Sequence, residues 1–553
     1  MAAATANGVC AGVQHQQEIK STFHPCLWGE FFNTFQPPLQ AQQPQMLERA
    51  EVLKEQVRTM LNDSKEIPKT LDLIMSIERL GLDYHYEKEI SQQLDVVFNS
   101  DHDDGNLHVV SLRFYLLRKH RYTVSPDVFR KFQDKEGNFI DSDTASLLSL
   151  YNAAHLRIHN EEILDEAISF TRKRLQGALE QLESPFAEEV SAALVTPVFK
   201  RVGIIEARSY ITYYGKEATR NETLLELAKV NFNLQQLNFC KELKEVTLWW
   251  KELYGRSNLS FVRDRIVETY FWMNGATYKP QYSYARMLAT KITGFITIID
   301  DIFDTYGTTE ESMQLKAAIG RWDESATDLL PEYMKDFYLY LLELYNSVEE
   351  HLGPEKSYRV FYLKEAMKQL VHMYSEEIKW RDNGNYVPTM SEHLKVSLIS
   401  IGNVMVACAF FVGMDEIPTV DTYKWVLNDT TLMNSFGIFI RLTNDLVSTK
   451  REQTADHIAS TVQCYMKDHG TTKEVACEKL KELAEYSWKD TLQLALAPTD
   501  LPVAVPQMVL DLAKASENIY RYNDAFTTSE TVRDTIRIIF TEPIEQMYEA
   551  TNL

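Results

Sequence analysis

The sequence is poor in the residues that most often interrupt helices. Of its 553 residues only 20 are glycine and 17 are proline, about 7% together against roughly 12% in average proteins. Segments such as 165–169 (DEAIS) and 224–229 (LLELAK) show helical spacing of apolar side chains. We therefore predict an all-α fold, and the length of the chain indicates two or three domains rather than one.

Cysteine is scarce and scattered. The six cysteines, at positions 10, 26, 240, 408, 464 and 477, form no CxxC pair. This pattern favours a reducing compartment and argues against structural zinc. The N-terminus lacks an apolar stretch of signal-peptide length and has no arginine before Arg49, so neither a secretory nor an Arg-rich transit peptide is predicted. We expect a cytoplasmic protein.

Positive charge is also in deficit. The chain has 57 Lys and Arg residues against 79 Asp and Glu residues, a formal net charge of -22. This charge disfavours nucleic acid or an anionic membrane as the main partner, so an anionic substrate would have to be held by local cations. No internal repeat of fixed period is present, which argues against a solenoid.

Polar stretches divide the chain into parts. Residues 1–22, rich in Ala, Gln and Gly, are predicted to be disordered. The polar segment 214–221 (YGKEATRN) separates an N-terminal helical domain, residues 23–220, from a C-terminal domain, residues 221–553.

One uncharged run, Val396–Met414, is long enough to pass for a membrane span. It contains polar residues such as Ser397 and Asn403 and lacks basic or aromatic flanks. We therefore predict a helix buried on all sides within a globular domain, with a kink at Gly402, and no membrane span.

Three carboxylates end another apolar stretch, the segment 298–307 (IIDDIFDTYG). Asp300 and Asp304 are four residues apart, so on a helix their side chains share one face. The surrounding Ile and Phe residues predict burial, and a buried carboxylate costs several kcal/mol unless a cation meets it. Oxygen ligands on a rigid face suit Mg²⁺. The alternative is a solvated helix end, where two like charges would cost only about 0.2–0.5 kcal/mol.

Two further patterns can complete such a site. Oxygen-bearing side chains recur every four residues on one predicted helical face: Asn444, Ser448 and Glu452. Alone, this pattern is more often an ordinary polar face. Arginines, whose forks match phosphate oxygens, stand in an RDR triplet and shortly before Asn444: Arg263, Arg265 and Arg441. An isolated RxR triplet is common on surfaces.

Six motifs occur together in the chain: RDR (263–265), DDIFD (300–304), RWD (321–323), LPEYMK (330–335), NDLVSTKRE (444–452) and CYMKDHG (464–470). Their combination resembles the plant class I terpene synthases, and the sesquiterpene branch in particular. The resemblance extends over nearly the whole chain from about Phe23. It implies an N-terminal α-barrel-like domain and a C-terminal class I terpenoid synthase bundle with a metal-dependent pocket.

The resemblance also implies roles for individual residues. It implies three Mg²⁺ ions, with Mn²⁺ as a possible substitute, held by five ligands: Asp300, Asp304, Asn444, Ser448 and Glu452. It implies that Arg263 and Arg441 hold the diphosphate, with Asp301 and Arg265 as supporting or lid partners. Further catalytic or substrate-binding positions follow in the same way: Trp272, Tyr520, Asp524 and the backbone of Ser400, Ile401 and Gly402.

Several positions leave alternatives open or depart from the family. The indole of Trp272 can offer a π face to a carbocation, but packing in the core is an equally good interpretation. The chain has Asp524-Ala525-Phe526 where Asp-Gly-Tyr is usual, so a lid hydroxyl is lost. The DxDD pattern at 101–104 matches the general acid of class II cyclases, but it lies in a polar segment and is predicted to be a solvated loop.

The sequence therefore predicts an enzyme that ionises a prenyl diphosphate, most simply farnesyl diphosphate, and releases a cyclic sesquiterpene and diphosphate. We expect a monomer whose partner is this small molecule. The alternatives are a monoterpene synthase using geranyl diphosphate, a chain-elongating prenyltransferase, and a helical binding protein without catalysis. A prenyltransferase would show two DDxxD motifs, whereas the second motif here is NDLVS at 444–448.

Overall fold

The computed structural model describes residues 24–100, 105–257, 259–384, 386–415, 419–428, 430–452 and 459–545, with the backbone alone at 450–452. Within these ranges the fold is helical, and the extended pairing is limited to an isolated bridge between Gln133 and Phe139. The all-α prediction is confirmed. The predicted disordered segment 1–22, the DxDD pattern at 101–104 and the side chain of Glu452 lie outside the described residues.

The N-terminal half is a packing of helices that range from 4 to 21 residues in the described part of the chain. Its core is apolar, and several helices begin at a side-chain cap, such as Asn106, which accepts from His108 N at 2.9 Å. The helices are α1 (Phe31–Thr34), α2 (Gln43–Asp63), α3 (Ile67–Arg79), α4 (Glu87–Phe98), α5 (Leu107–Lys119), α6 (Thr144–Ala154), α7 (Glu162–Ala178), α8 (Phe186–Val195) and α9 (Gly203–Tyr214).

The described helices of the C-terminal half range from 8 to 35 residues. They are α10 (Glu222–Arg256), α11 (Ile266–Ala276), α12 (Ser283–Asp301), α13 (Thr309–Arg321), α14 (Glu332–Lys356), α15 (Tyr358–Asp382), α16 (Met390–Ser400), α17 (Asn403–Gly413), α18 (Val420–Leu427), α19 (Thr431–Glu452), α20 (Thr461–His469), α21 (Lys473–Leu496), α22 (Ala504–Tyr520) and α23 (Arg533–Thr541).

Seven of these helices close into a ring. α11 packs against α12, α12 against α17, α17 against α15, α15 against α16, α16 against α19, α19 against α22, and α22 returns to α11. A closed ring of helices has an interior that all its members line, so side chains from distant parts of the sequence can meet there. The ends of α12 and α19 carry the predicted metal-binding motifs.

The uncharged run does not form one kinked helix. It is divided into α16 and α17 at Ile401–Gly402, where Gly402 has a left-handed φ of 82°. A residue in that conformation cannot continue a right-handed helix, so the prediction of a single bent helix is wrong. By length and composition the stretch Met390–Gly413 could cross a membrane, but 61% of its most apolar window is buried inside the protein.

α10 belongs to both halves. It packs against α1, α2 and α9 on one side and against α11, α12, α14 and α23 on the other. Asn231 accepts a hydrogen bond from Tyr84 Oη at 2.8 Å in the N-terminal half, whereas Asn233 donates to Ile544 O at 2.8 Å near the C-terminus. The predicted domain boundary at residue 220 falls in the loop between α9 and α10 and stays a prediction.

Candidate active site

The first acidic motif lies where α12 ends. α12 stops at Asp301 and continues into one π turn, Ile302–Tyr306, closed by a hydrogen bond from Gly307 N to Ile302 O at 2.8 Å. Asp300 is half-buried, and Asp304 reaches solvent. The expectation that both acids lie on a regular α-helix is therefore wrong for Asp304, which belongs to the wider turn.

Arg263 holds the loop before α11 against this acidic end. Its guanidinium donates to Asp300 Oδ2 at 2.5 Å and lies 2.8 Å from Asp301 Oδ1, and its backbone N donates to Asp301 Oδ2 at 2.8 Å. Burial raises the pKa of Asp301 to about 6 although Arg263 opposes the rise. Asp301 is 2% exposed, so it orients Arg263 from within the core rather than facing a ligand.

Glu377 on α15 is a functional candidate that the sequence analysis missed. Its Oε1 accepts a hydrogen bond from Ser400 Oγ at 2.5 Å. Burial raises the pKa of Glu377 to about 7, with Arg441 opposing and Asp300 adding to the rise. The protein packed around the Asp304 carboxylate raises its pKa well above its ordinary value although the residue reaches solvent, and the nearby Asp300 and Glu377 carboxylates raise it further. The carboxylates of Asp300 on α12, Asp304 on the π turn and Glu377 on α15 thus lie close together.

Arg441 faces this place from α19, the helix that also carries the second motif. Arg441 contacts Asp445 Oδ1 at 3.5 Å and donates to Ser400 Oγ at 3.4 Å, which joins α19 to the break between α16 and α17. Asn444 is half-buried and Ser448 is buried, and the Ser448 hydroxyl donates to Asn444 O at 2.9 Å. Glu452 ends the same helix, and its side chain is not among the described ones.

Tyr520 lies near charged residues of both α12 and α19. Its hydroxyl lies within electrostatic range of Arg263, Asp300 and Arg441, so the residues of α12 and α19 face one cleft. Burial raises the pKa of Tyr520 above its ordinary value, and Asp524 raises it further. This phenol therefore stays protonated at neutral pH.

Aromatic rings line the cleft next to these charged residues. The Trp272 ring lies edge to face with Tyr520 at 5.6 Å and with Phe526 at 5.8 Å between centroids. The indole N–H of Trp272 is buried and finds no hydrogen-bond partner among the described residues, so ring packing alone holds it. Phe526 also lies under the Arg263 guanidinium, 5.7 Å from its ring centroid.

The predicted backbone segment Ser400, Ile401 and Gly402 does lie at the cleft. Ser400 bonds to Glu377 and Arg441, and a side chain at Gly402 would point towards Ile296 of α12, 3.6 Å from its Cδ1. The helix break therefore faces the interior of the ring between α12 and α19.

Arg265 occupies a different environment from Arg263. It is 1% exposed and donates to four backbone carbonyls, those of Asp264, Phe526, Thr527 and His24, at 2.8–3.2 Å. Asp524 turns the same C-terminal loop, because its Oδ1 accepts from Thr527 N at 3.0 Å. Arg265 thus joins the N-terminal segment to the loop that carries Phe526.

The donor set fits a hard divalent cation that keeps some of its own ligands. No three carboxylate, imidazole or thiolate side chains in the described part of the chain converge tightly enough to enclose a metal ion alone. Mg²⁺ takes one or two protein carboxylates and completes its shell with water and phosphate oxygens. Crowded carboxylates with raised pKa values beside two arginines suit that combination.

A second cavity lies between the two halves and has a volume of about 520 Å³. Its charged groups neutralise one another: Lys119 bonds to Glu78 at 2.7 Å and Lys514 to Asp511 at 3.2 Å. Five of the six Lys and Arg side chains that line it are ion-paired with carboxylates, and none of the six sequence motifs lines it, so the cleft of the helical ring is the better candidate.

Fold and site together define an enzyme for a substrate with an anionic head and an apolar body. The family described as terpene synthase, metal binding domain, matches residues 251–490, and the terpene synthase N-terminal domain matches residues 27–194. The chain belongs to the terpene synthase family.

Relatives refine this comparison. The chain is 57% identical over 541 residues, 98% of each chain, to a protein from Zea mays named (S)-beta-macrocarpene synthase. It is 58% identical over 537 residues, 96% of this chain and 97% of the other, to a Zea mays protein named inactive sesquithujene synthase B. A grey poplar isoprene synthase, solved with three Mg²⁺ ions and dimethylallyl-S-thiolodiphosphate, shares 31% identity with a TM-score of 0.86, covering 91% of this chain and 98% of that chain.

Proposed function

We propose that this protein ionises farnesyl diphosphate and cyclises the resulting cation to a sesquiterpene, releasing diphosphate. The observation that carries the proposal is the joint placement of Asp300, Arg263 and Arg441 around Tyr520, beside an aromatic wall. The name of the 57% identical relative supports a sesquiterpene product. Because another close relative is named inactive, overall likeness alone does not establish turnover, and the site has to be tested.

The charged residues bind and orient the diphosphate head in this proposal. Asp300, Asp304, Asn444, Ser448 and Glu452 would hold divalent cations, three Mg²⁺ ions or Mn²⁺ in their place. When bound, these ions supply the positive charge that neutralises the departing diphosphate. Arg263 and Arg441 stay charged throughout and offer forked donors to the phosphate oxygens from opposite sides of the cleft.

The aromatic wall protects the cation after ionisation. Trp272 is held by Tyr520 and Phe526 and can present ring electrons to a passing carbocation, an interaction worth about 2 kcal/mol or more when desolvated. The proposal requires the closed helical ring to keep water from this part of the pocket during the reaction. Arg265 fits a positioning role here, because its hydrogen bonds to Phe526 O, Thr527 O and His24 O hold the Phe526 loop against the N-terminal segment.

A comparison of three prenyl diphosphates decides the substrate class. The purified enzyme is given geranyl, farnesyl or geranylgeranyl diphosphate with Mg²⁺, and volatile products and released diphosphate are measured. We expect cyclic sesquiterpenes from farnesyl diphosphate and little turnover of the other two. Dominant use of geranyl diphosphate would instead make it a monoterpene synthase, and diphosphate release accompanied only by acyclic olefins or alcohols would exclude a cyclase.

Asp304→Asn tests the metal site with the least structural disturbance, because Asp304 reaches solvent and its side chain makes no hydrogen bond or ion pair with the described residues. Losing about 3 kcal/mol of charge stabilisation corresponds to a loss of turnover of roughly a hundred-fold. The exposed Asp328, outside the cleft, gives the matched control Asp328→Asn. Near-normal turnover of folded Asp304→Asn would overturn the assignment of this motif.

We propose further that the enzyme acts as a monomer in the cytosol. Size-exclusion chromatography with light scattering tests the first statement against the chain mass of 64.0 kDa. Imaging of a fluorescent fusion in plant cells tests the second.

A further inference from the structure

The π turn at the end of α12 is closed at a glycine with no space for a side chain. Gly307 N donates to Ile302 O at 2.8 Å, and an added Cβ at Gly307 would lie 2.8 Å from the same oxygen and 3.0 Å from Ile302 Cγ2. Its φ of -76° is open to any residue, so space rather than backbone conformation requires glycine here. An alanine could fit only if residue 307 moved away from the Ile302 carbonyl, which would break the bond that closes the turn.

The turn determines where Asp304 points. In a regular α-helix a residue four positions on is rotated about 40° past the first. The π turn takes up more residues per turn, so it reduces this rotation and brings the Asp304 carboxylate more nearly above Asp300. Opening the turn would move Asp304 out of line with Asp300.

Contacts on its outer side fix the turn in place. The Tyr306 ring stacks on Phe261 at 3.8 Å between centroids with an angle of 8° between the planes, and Tyr333 meets Tyr306 edge to face at 5.2 Å. Arg381 donates to Phe303 O at 2.9 Å. Because Phe261 lies two residues before Arg263, the same turn also supports the loop that carries the phosphate-binding arginine.

We propose that Gly307 is a positioning residue for metal binding: by closing the π turn it aligns Asp304 with Asp300 and so sets the affinity of the site for Mg²⁺. The proposal rests on the metal-binding role proposed above for Asp304. It concerns geometry, since Gly307 itself offers no ligand.

The test compares Gly307→Ala with Gly320→Ala, a glycine in α13 whose added Cβ would meet nothing within 4 Å. Binding of Mg²⁺ together with inorganic diphosphate is measured by calorimetry, and the Mg²⁺ concentration that gives half-maximal turnover is measured separately. Changes beside a metal ligand typically cost 10–100-fold in affinity, so Gly307→Ala should bind about ten-fold more weakly and need correspondingly more Mg²⁺. At saturating Mg²⁺ its kcat should recover towards that of the unchanged enzyme, and Gly320→Ala should match the unchanged enzyme throughout.

Circular dichroism establishes that each variant is folded. A folded Gly307→Ala that binds Mg²⁺ and diphosphate like the unchanged enzyme overturns the proposal. If Gly307→Ala does not fold, Tyr306→Leu keeps the glycine but removes the stack on Phe261, and unchanged Mg²⁺ affinity in that variant overturns it equally.

Asp304→Asn separates this proposal from the proposed function. If Asp304→Asn keeps full affinity for Mg²⁺ and diphosphate, the metal site itself is misassigned and both proposals fail. If Asp304→Asn loses binding while folded Gly307→Ala keeps it, the metal site stands and only the role of Gly307 fails.

Discussion

Replacing Glu268 by glutamine should make the stability of the protein less sensitive to pH. Glu268 lies in the first turn of α11 and is 1% exposed, and its Oε1 accepts a hydrogen bond from Trp28 Nε1 at 3.2 Å. Its Oε2 is buried and has no partner among the described residues. Burial raises the pKa of Glu268 from 4.5 to about 7, and nearby Asp264 adds to the rise while Arg265 opposes it.

The sign and size follow from that pKa. Below pH 4.5 the carboxyl is protonated whether the chain is folded or unfolded, and its favourable contribution is complete. As the pH rises through 7 the folded state must ionise a buried group, so this contribution is lost. The whole difference is worth roughly 3 kcal/mol, at about 1.36 kcal/mol per pKa unit, and roughly 2 kcal/mol of it falls between about pH 5.5 and 8.5.

Glutamine keeps the acceptor for Trp28 and cannot ionise. Relative to the unchanged protein, Glu268→Gln should therefore gain roughly 2 kcal/mol in the free energy of unfolding between about pH 5.5 and 8.5. Urea denaturation followed by tryptophan fluorescence measures this, with each transition fitted separately because a chain of this size need not unfold in one step. The exposed Glu349 supplies the control Glu349→Gln. Parallel pH profiles for the unchanged protein and Glu268→Gln would refute the reasoning.

Three further substitutions probe the pocket. Gly402→Ala should change the product ratio by gas chromatography and mass spectrometry, because its methyl group would contact Ile296; Gly137→Ala, at a similar φ of 84° but with nothing within 4 Å, should not. Trp272→Leu should lower turnover roughly 30-fold and raise the share of alcohols, if about 2 kcal/mol of cation stabilisation is lost; an unchanged profile would mean that the ring only packs. Glu377→Gln removes a negative charge but keeps an acceptor for the Ser400 hydroxyl, so the Mg²⁺ concentration needed for half-maximal turnover should rise. An unchanged Mg²⁺ titration would mean that Glu377 does not belong to the site.

The helical fold was predictable because its signal is local. Glycine and proline are rare, and apolar side chains recur along each segment with the period of a helix. The acidic motif was also visible locally, since Asp300 and Asp304 stand four residues apart in an apolar stretch. The position of the helix break at Gly402 could also be predicted, but not whether the helix bends or ends there. A single glycine in the sequence is compatible both with a gentle kink and with the left-handed φ that ends the helix.

What escaped prediction depends on contacts between distant residues. Glu377 joins the site only because Ser400 and Arg441, from two other helices, meet it across the ring. Glu377 stands four residues before Arg381 on α15, which could have marked a charged helical face. Such spacing is common on polar helix faces, so it does not single out Glu377. The π turn depends on the missing side chain of Gly307 near one carbonyl oxygen, a constraint that no periodicity reveals.

The position of α10 bears on how such enzymes can be recombined. This helix has 35 residues, about 50 Å of continuous backbone, and residues of both halves pack along it. A hybrid joined in the loop at 215–221 would place the N-terminal half of one parent against an α10 shaped for another, with Asn231 and Gln235 facing foreign partners in place of Tyr84. Exchanging the halves between relatives therefore requires the face of α10 that contacts the N-terminal half to be exchanged together with that half. The opposite face of the same helix must stay as it is in the parent that supplies the C-terminal half.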